Sequence, residues 1–302
     1  MAEIKIYKSG SWRNIIGQEF SGNVVREGDK VFAGGEWHEA ENLYNFDTPL
    51  TFIAREANST IKLIKKGNPT VSGLQYRYGT SGDWKNYTID TVLKLTNIGD
   101  KVQFKNTENN LSTFWEFNLG VDDSSSYVTF EMTGKIAGMG NIQSMLNWRE
   151  DCPAYCYFSL FYQCTSLVTA PELPATVLAD YCYFGMFFGC TGLTTAPELP
   201  ATVLADYCYA VMFADCSSLI NAPELPAENL VKHCYNEMFY NCNRLCSIKV
   251  HFTSWGGDAT NTWTYKWLLG VSLSGTFYKP SALPLEYGEG NIPEGWAVVN
   301  ID

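Results

Sequence analysis

The chain has 302 residues, 46% hydrophobic and 15% aromatic but only 18% charged, with a formal net charge of −11. It is long enough for several modules with cores of their own, and its aromatic, charge-poor composition suits many short strands better than a helical enzyme. The acidic balance argues against binding phosphate backbones and anionic membranes, and no run approaches the roughly 18 apolar residues of a membrane span.

Residues 1–47 read as two β-hairpins. Ile6–Trp12 and Val31–Trp37 share one pattern: two apolar residues, a Gly-centred turn, then Trp. Ser9-Gly10 and Gly34-Gly35 supply the positive φ that tight hairpin turns need. So small a unit buries little alone, which predicts an attachment module packed on a partner. The opening MAEIKIYKSGSWRN has neither the apolar region nor the cleavage site of a secretory leader. That favours another way out of the cell, such as assembly into a virion released by lysis.

Asp47-Thr48-Pro49 reads as a linker. Residues 48–135 then alternate like strands: Leu50–Ala54, Thr60–Lys65, Leu74–Tyr78, Val92–Leu95, Lys101–Phe104 and Tyr127–Met132. Turn clusters such as Thr80–Asp83 and Asn97–Asp100 separate them, which predicts an antiparallel, immunoglobulin-like β-sandwich. Trp84 and Trp115 fit its packing better than a sugar platform. Residues 136–155 predict a short helical lead-in, with Ile142–Leu146 as its apolar part.

Four copies of one phrase follow: CYFSLFYQC at Cys156, CYFGMFFGC at Cys182, CYAVMFADC at Cys208 and CYNEMFYNC at Cys234, each 26 residues on (182 − 156, 208 − 182, 234 − 208). PELPA joints recur at Pro171, Pro197 and Pro223. A fixed period of this length predicts a solenoid over 136–246, in which each unit buries its apolar face only against its neighbours. Within a unit, Pro197 and Pro200 forbid a helix across the joint, whereas Leu204, Cys208 and Met212 at i, i+4, i+8 predict one face of a short helix. The expected unit is a strand plus a short helix. The tail 247–302 returns to strand-like text at Ser247–Phe252, Gly275–Tyr278 and Trp296–Val299, with a helical turn at Thr264–Leu269, and predicts a β-rich cap on the open end.

The MF-x-x-C-x-x-L pieces, Met186-Phe187…Cys190…Leu193, Met212-Phe213…Cys216…Leu219 and Met238-Phe239…Cys242…Leu245, carry a family resemblance. With the PELPA joints and Gly275-Thr276-Phe277…Gly295-Trp296, they resemble the BspA-like leucine-rich repeats of surface proteins in Bacteroides-type bacteria and some parasites. The likeness covers about residues 130–302. It implies adhesion or host contact rather than catalysis.

The cysteines allow zinc, disulfide or thiol readings. Their in-repeat spacing is C-x7-C, and His38, His233 and His251 are scattered, which fits zinc poorly. Stacked identical positions point side chains in parallel, poor geometry for disulfides. A buried ladder of reduced thiols is favoured, with Cys152–Cys156 and Cys242–Cys246 as the pairs closest to an exception. No nucleophile, metalloprotease or phosphate-loop motif is present. The reading is therefore non-enzymatic, with no catalytic or metal residues and no cofactor.

Binding candidates come from two patterns. Glu172, Glu198 and Glu224 share a repeat position and form a column suited to calcium or to a glycan contact, with a solvated acidic edge as the favoured reading. Core positions repeat while exposed ones drift, which singles out Phe184, Phe188, Tyr162 and Tyr240. The expected protein is mostly β and modular, a surface-displayed recognition protein on a phage virion. Its expected partners are a host or bacterial surface glycan or protein, other virion proteins through residues 1–47, and further copies of itself in a larger assembly. No nucleic-acid contact or membrane insertion is expected. The alternatives are a secreted or cell-surface bacterial adhesin without its leader, a purely structural capsid or tail component, and an accessory module of a glycan-degrading enzyme.

Overall fold

A computed structural model describes residues 4–8, 11–15, 30–33, 36–39, 48–69, 71–108, 115–116, 126–257 and 263–301. The turn residues Ser9, Gly10, Gly34 and Gly35, and Asp47, lie outside that set, as does the Trp115 side chain. The chain divides into two compact units, Met1–Thr48 and Pro49–Asp302.

In the first unit, β1 (Ile4–Lys8) pairs antiparallel with β2 (Ser11–Ile15), and β3 (Lys30–Ala33) with β4 (Glu36–Glu39). Both expected hairpins are present. β1 and β3 also pair, giving one sheet of order β2-β1-β3-β4.

The second unit is mostly β. Its strands are β5 (Leu50–Ala54), β6 (Ser59–Lys66), β7 (Leu74–Tyr78), β8 (Lys85–Asn86), β9 (Leu93–Leu95), β10 (Lys101–Asn106), β11 (Trp115–Glu116) and β12 (Ser126–Thr133). β13 (Ile136–Met139), β14 (Asp151–Cys152), β15 (Leu167–Thr169), β16 (Val177–Leu178), β17 (Ser247–Lys249), β18 (Thr276–Lys279) and β19 (Ala297–Asn300) follow. Sheets β15-β13-β5-β10-β7-β8 and β11-β12-β6-β9 pack face to face. Phe52 of β5 and Phe104 of β10 meet Phe130 of β12 edge to face, with ring centroids 4.9 and 5.4 Å apart. Strand alternation produces this core: Ile61 and Leu63 are fully buried while Lys62 between them points outward. The lead-in Ile142–Leu146 is a single 3₁₀ turn, capped by Asn141, whose side chain accepts from the Gln143 N–H.

β13 carries the β-structure into the repeats, because it pairs antiparallel with β5 and parallel with β15. Beyond it, residues 26 apart lie on top of one another. In the Cys156–Cys164 segment alternate amides have different partners. Tyr157 N–H donates to Cys182 O (2.9 Å) and Phe161 N–H to Met186 O (2.8 Å), one layer on. Between them, Leu160 N–H donates to Tyr157 O and Tyr162 N–H to Ser159 O, three residues back. The same alternation recurs at Tyr183/Phe187 and Tyr209/Phe213.

This corrects the expected short helix, which none of the copies forms. Every fourth residue sits in the left-handed region: Tyr155, Ser159 and Gln163, then Tyr181, Gly185 and Gly189, with matching sets in the next two copies. The segment is a chain of four-residue turns. An α-helix bonds every amide to the carbonyl four back and has none left for the next layer. The four-residue apolar spacing suits both arrangements, so periodicity alone pointed to the wrong one.

The joints are extended and bridge in parallel, at Thr169↔Thr195, Asn221↔Ser247 and Leu225↔Val250. Two prolines per joint, such as Pro223 and Pro226, remove ladder donors, which keeps these contacts to bridges and short strands. A fifth layer follows without cysteines. Phe239 N–H donates to Trp267 O (2.9 Å), and Lys266 takes the left-handed turn position. This corrects the helical turn expected at Thr264–Leu269. The parallel strands β17-β18-β19 close the far end.

One turn position is strained. Val211 has φ of 59° in the slot that Gly185 fills with φ of 57° one layer earlier. A β-branched residue there costs about 1–2 kcal/mol, against about 0.5–1 kcal/mol for the extra freedom glycine loses on folding. Val211→Gly is therefore expected to stabilise the 49–302 unit by about 0.5–1 kcal/mol, read as a higher urea midpoint at unchanged slope.

Candidate functional site

The layers are held by columns of identical buried side chains. Phe161, Phe187, Phe213 and Phe239 stack at 5.3–5.5 Å, with Phe130 of β12 beneath Phe161 at 5.2 Å. Tyr157, Tyr183, Tyr209 and Tyr235 form a second buried column. The Tyr157 hydroxyl hydrogen-bonds to Ile142 O and Gln143 Oε1, whereas those of Tyr209 and Tyr235 have no hydrogen-bond partner among the described residues.

All ten cysteines are free thiols. The second thiol of each copy does more than fill space. Cys164 Sγ donates to Phe130 O (2.9 Å), Cys190 to Phe161 O (3.0 Å), Cys216 to Phe187 O (3.1 Å) and Cys242 to Phe213 O (3.0 Å), each tying a layer to the one below. Burial pushes these thiols up, Cys242 to about 12, which keeps the donating proton in place at neutral pH. Cys152 and Cys156 bring their sulfurs within 3.2 Å as free thiols. Among the described residues no group of three His, Cys, Asp or Glu side chains is placed to hold a metal ion.

Half-exposed columns flank the buried ones. Phe184 stacks on Phe158 (5.1 Å) and Phe188 on Tyr162 (5.1 Å). In the next layer both columns lapse to the buried Ala210 and Ala214. Tyr240 is half-exposed, but Ala214 separates it from Phe188. The structure thus brings Tyr162, Phe184 and Phe188 together on the first two layers and leaves Tyr240 apart. Tyr155, Tyr181 and Tyr207 form a third column at 4.7 and 4.6 Å, with His233 above at 4.7 Å. Its signal was the aromatic residue before each CY. Burial pushes Tyr181 up to about 12, helped by the tyrosines on either side. Rings stacked this way present edges outward, so a flat ligand finds a free ring face only where a column ends.

The glutamates lie on the joint side. Glu198 and Glu224 are exposed and Glu172 is half-buried. Glu224 Oε1 binds Lys249 Nζ (2.9 Å) and His251 Nε2 (2.6 Å), two partners supplied where the repeats end. Partial burial works against the Glu224 charge, but those hydrogen bonds outweigh it and hold the carboxyl below its usual range. At the other end, Glu172 Oε2 is buried without a hydrogen-bond partner among the described residues, and burial together with the Glu198 charge raises its carboxyl to about 7. The three glutamates thus form a column with side-chain partners for its carboxylate at the Lys249 and His251 end.

A carboxyl raised in the folded state makes the native protein bind more protons than the unfolded chain between about pH 4.5 and 7. Stability from this group is therefore lost as pH rises through that window. Glu172→Gln is expected to gain about 1–2 kcal/mol over the parent at pH 8, after solvent screening of its exposed part, and nothing at pH 4. Urea unfolding at the two pH values reads the difference.

On the sheet side, Trp84 has Arg77 and Lys105 over its ring at 4.6 and 4.5 Å. Those cations occupy the ring surface that a sugar platform would need to leave open. No helix among the described residues is long and apolar enough to cross a membrane. Comparison with known proteins finds no matching family model, no similar curated protein and no similar solved structure.

Proposed function

We propose that the protein is a non-enzymatic, surface-displayed recognition or adhesion protein, a virion appendage through which a phage contacts its bacterial host. In this reading residues 136–246 are a short leucine-rich-repeat solenoid of the BspA-like kind, carried on an immunoglobulin-like sandwich. Residues 1–47 attach it to other virion proteins.

One observation supports it above the rest. The columns that join the layers are buried and repeat unchanged, while the flanking columns, half-exposed except at the buried Ala210 and Ala214, change from copy to copy: Phe158, Phe184, Ala210, Asn236 and Tyr162, Phe188, Ala214, Tyr240. A rigid stack with a constant inside and a changing outside suits recognition. The acidic joint edge, with Glu198 exposed, opposes non-specific capture of anionic polymers.

The test is binding of the fluorescently labelled full chain to intact Bacteroides-type cells, read by flow cytometry. Saturable binding competed by unlabelled protein is the expected result. No binding to any strain tested would overturn the recognition reading in favour of a purely structural component. Product release on a glycan panel would overturn the non-enzymatic one.

A further inference from the structure

The columns place one aromatic ring differently from its neighbours. Phe161 lies over Phe130 at 5.2 Å, and Phe158 meets Tyr127 at 5.8 Å. Both partners come from β12, 31 residues earlier (161 − 130, 158 − 127). The same offset sets Tyr162 over Glu131 (162 − 131). Tyr162 therefore has Phe188 against one face and no ring beneath the other among the described residues. Tyr162 also lines a cleft of about 330 Å³, formed with Gln163 by residues of β6 and β12 and by Val92.

Strand alternation gives the floor a polar part beside an apolar one, Ile64 and the neighbouring Val92. Ile61, Leu63, Val128 and Phe130 point into the core, which turns Lys62, Glu131, Thr60 and Thr133 outward. Lys62 Nζ and Glu131 Oε2 pair at 2.6 Å, and the Thr60 and Thr133 hydroxyls at 2.7 Å. Lys66 adds a second ammonium at the rim. The floor thus offers donors and acceptors side by side, next to the Tyr162 ring.

That combination selects among ligand classes. The ion pair and hydroxyls disfavour a purely apolar ligand, which would strand them without hydrogen bonds. Glu131 disfavours phosphate. A pyranose ring fits: its C–H face packs on an aromatic ring, and its hydroxyls both donate and accept toward carboxylate, ammonium and threonine. The volume lies at the low end of the roughly 300–1,000 Å³ range of ligand sites, enough for a single sugar unit and its linkage.

We propose that this cleft is a saccharide subsite in which Tyr162 stacks on one hexopyranose unit while Glu131 and Lys62 bind its hydroxyls. The proposal rests on the recognition reading and names the chemical class that the surface takes.

The test is saturation-transfer NMR on the full chain with methyl glycosides of glucose, galactose, mannose, N-acetylglucosamine and glucuronic acid as probes. Transfer to at least one sugar is expected, with affinity reduced about tenfold or more in Tyr162→Ala and in Glu131→Gln. Glu131 is half exposed, so Glu131→Gln keeps the test valid should Tyr162→Ala fold poorly. Glu228→Gln, an exposed carboxylate outside the cleft, is expected to leave binding unchanged. Preference for the glucuronide would assign the acidic sugar to Lys66, and preference for a neutral glycoside would assign the contact to the Lys62–Glu131 pair. Transfer to none of the probes, or transfer that survives both cleft variants, would overturn the subsite. Cell binding by parent and both cleft variants alike, with sugar transfer that also survives in both, would overturn the subsite and leave recognition standing. Sugar binding without cell binding would uphold the subsite and overturn recognition of those cells.

Discussion

Phe187→Ala is expected to lower the unfolding free energy of the 49–302 unit by about 3–5 kcal/mol. Phe187 is fully buried, 5.3 Å from Phe161 below it and 5.5 Å from Phe213 above, with the three rings nearly parallel. Truncation leaves a ring-sized void between two layers. The layers cannot close over it, because Phe161 N–H to Met186 O and Phe187 N–H to Met212 O hold their spacing on either side. The column continues through Phe130 of one sheet to Phe52 and Phe104 of the sheet facing it. The loss should therefore shift a single transition rather than split off a separate repeat domain, although stacked repeats couple only to their neighbours. Urea unfolding followed by far-UV circular dichroism and by tryptophan fluorescence checks both points. A loss under about 1 kcal/mol would mean that the layers do collapse over the site, and non-coincident transitions would mean that the stack and the two sheets unfold independently.

Much of this core was legible in the sequence, for a physical reason. Strands with one buried face alternate with period 2, so Leu50–Ala54 and Leu74–Tyr78 appear at the expected bounds, and Ser59–Lys66 and Ser126–Thr133 within two residues of them. The stacking of copies 26 residues apart followed from the period. The conformation within a copy did not follow, because Cys208 and Met212 recur every four residues in a chain of turns as they would on a helix face. The distinguishing signal lay in the third left-handed slot: Gln163, Gly189, Asp215 and Asn241, three of them residue types that tolerate positive φ. The fifth layer escapes the period because it has no cysteine and its equivalent positions are 29 rather than 26 residues on (266 − 237). Of the aromatic candidates, Tyr162, Phe184 and Phe188 were visible as drifting positions, whereas the cleft below Tyr162 was not. Lys62, Glu131 and Tyr162 are distant in sequence and meet only because β12 serves as the layer beneath the first copy.

The fifth layer carries the second large effect: Trp267→Ala is expected to cost about 3–5 kcal/mol. Trp267 is fully buried at the centre of the aromatic cap, with Tyr235, Phe252, Trp255 and Phe277 at centroid distances of 6.0–6.3 Å. Its Nε1–H donates to Asn291 O at 2.9 Å, and its own carbonyl accepts the Phe239 N–H. Trp267→Phe keeps much of the ring volume but leaves the Asn291 carbonyl unpaired, a smaller loss of about 1–2 kcal/mol. The two large truncations should differ in reach. Phe187 lies mid-stack with a layer on each side, whereas Trp267 closes one end, so its loss should loosen the last layers first. Hydrogen exchange separates the cases: in Trp267→Ala the Tyr235 and Phe239 amides, which donate to Trp263 O and Trp267 O, should lose protection well before those of Tyr157 and Phe161. Loss of protection spread evenly over all layers would show that the cap and the first layers open as one unit, contrary to the nearest-neighbour coupling argued for the stack.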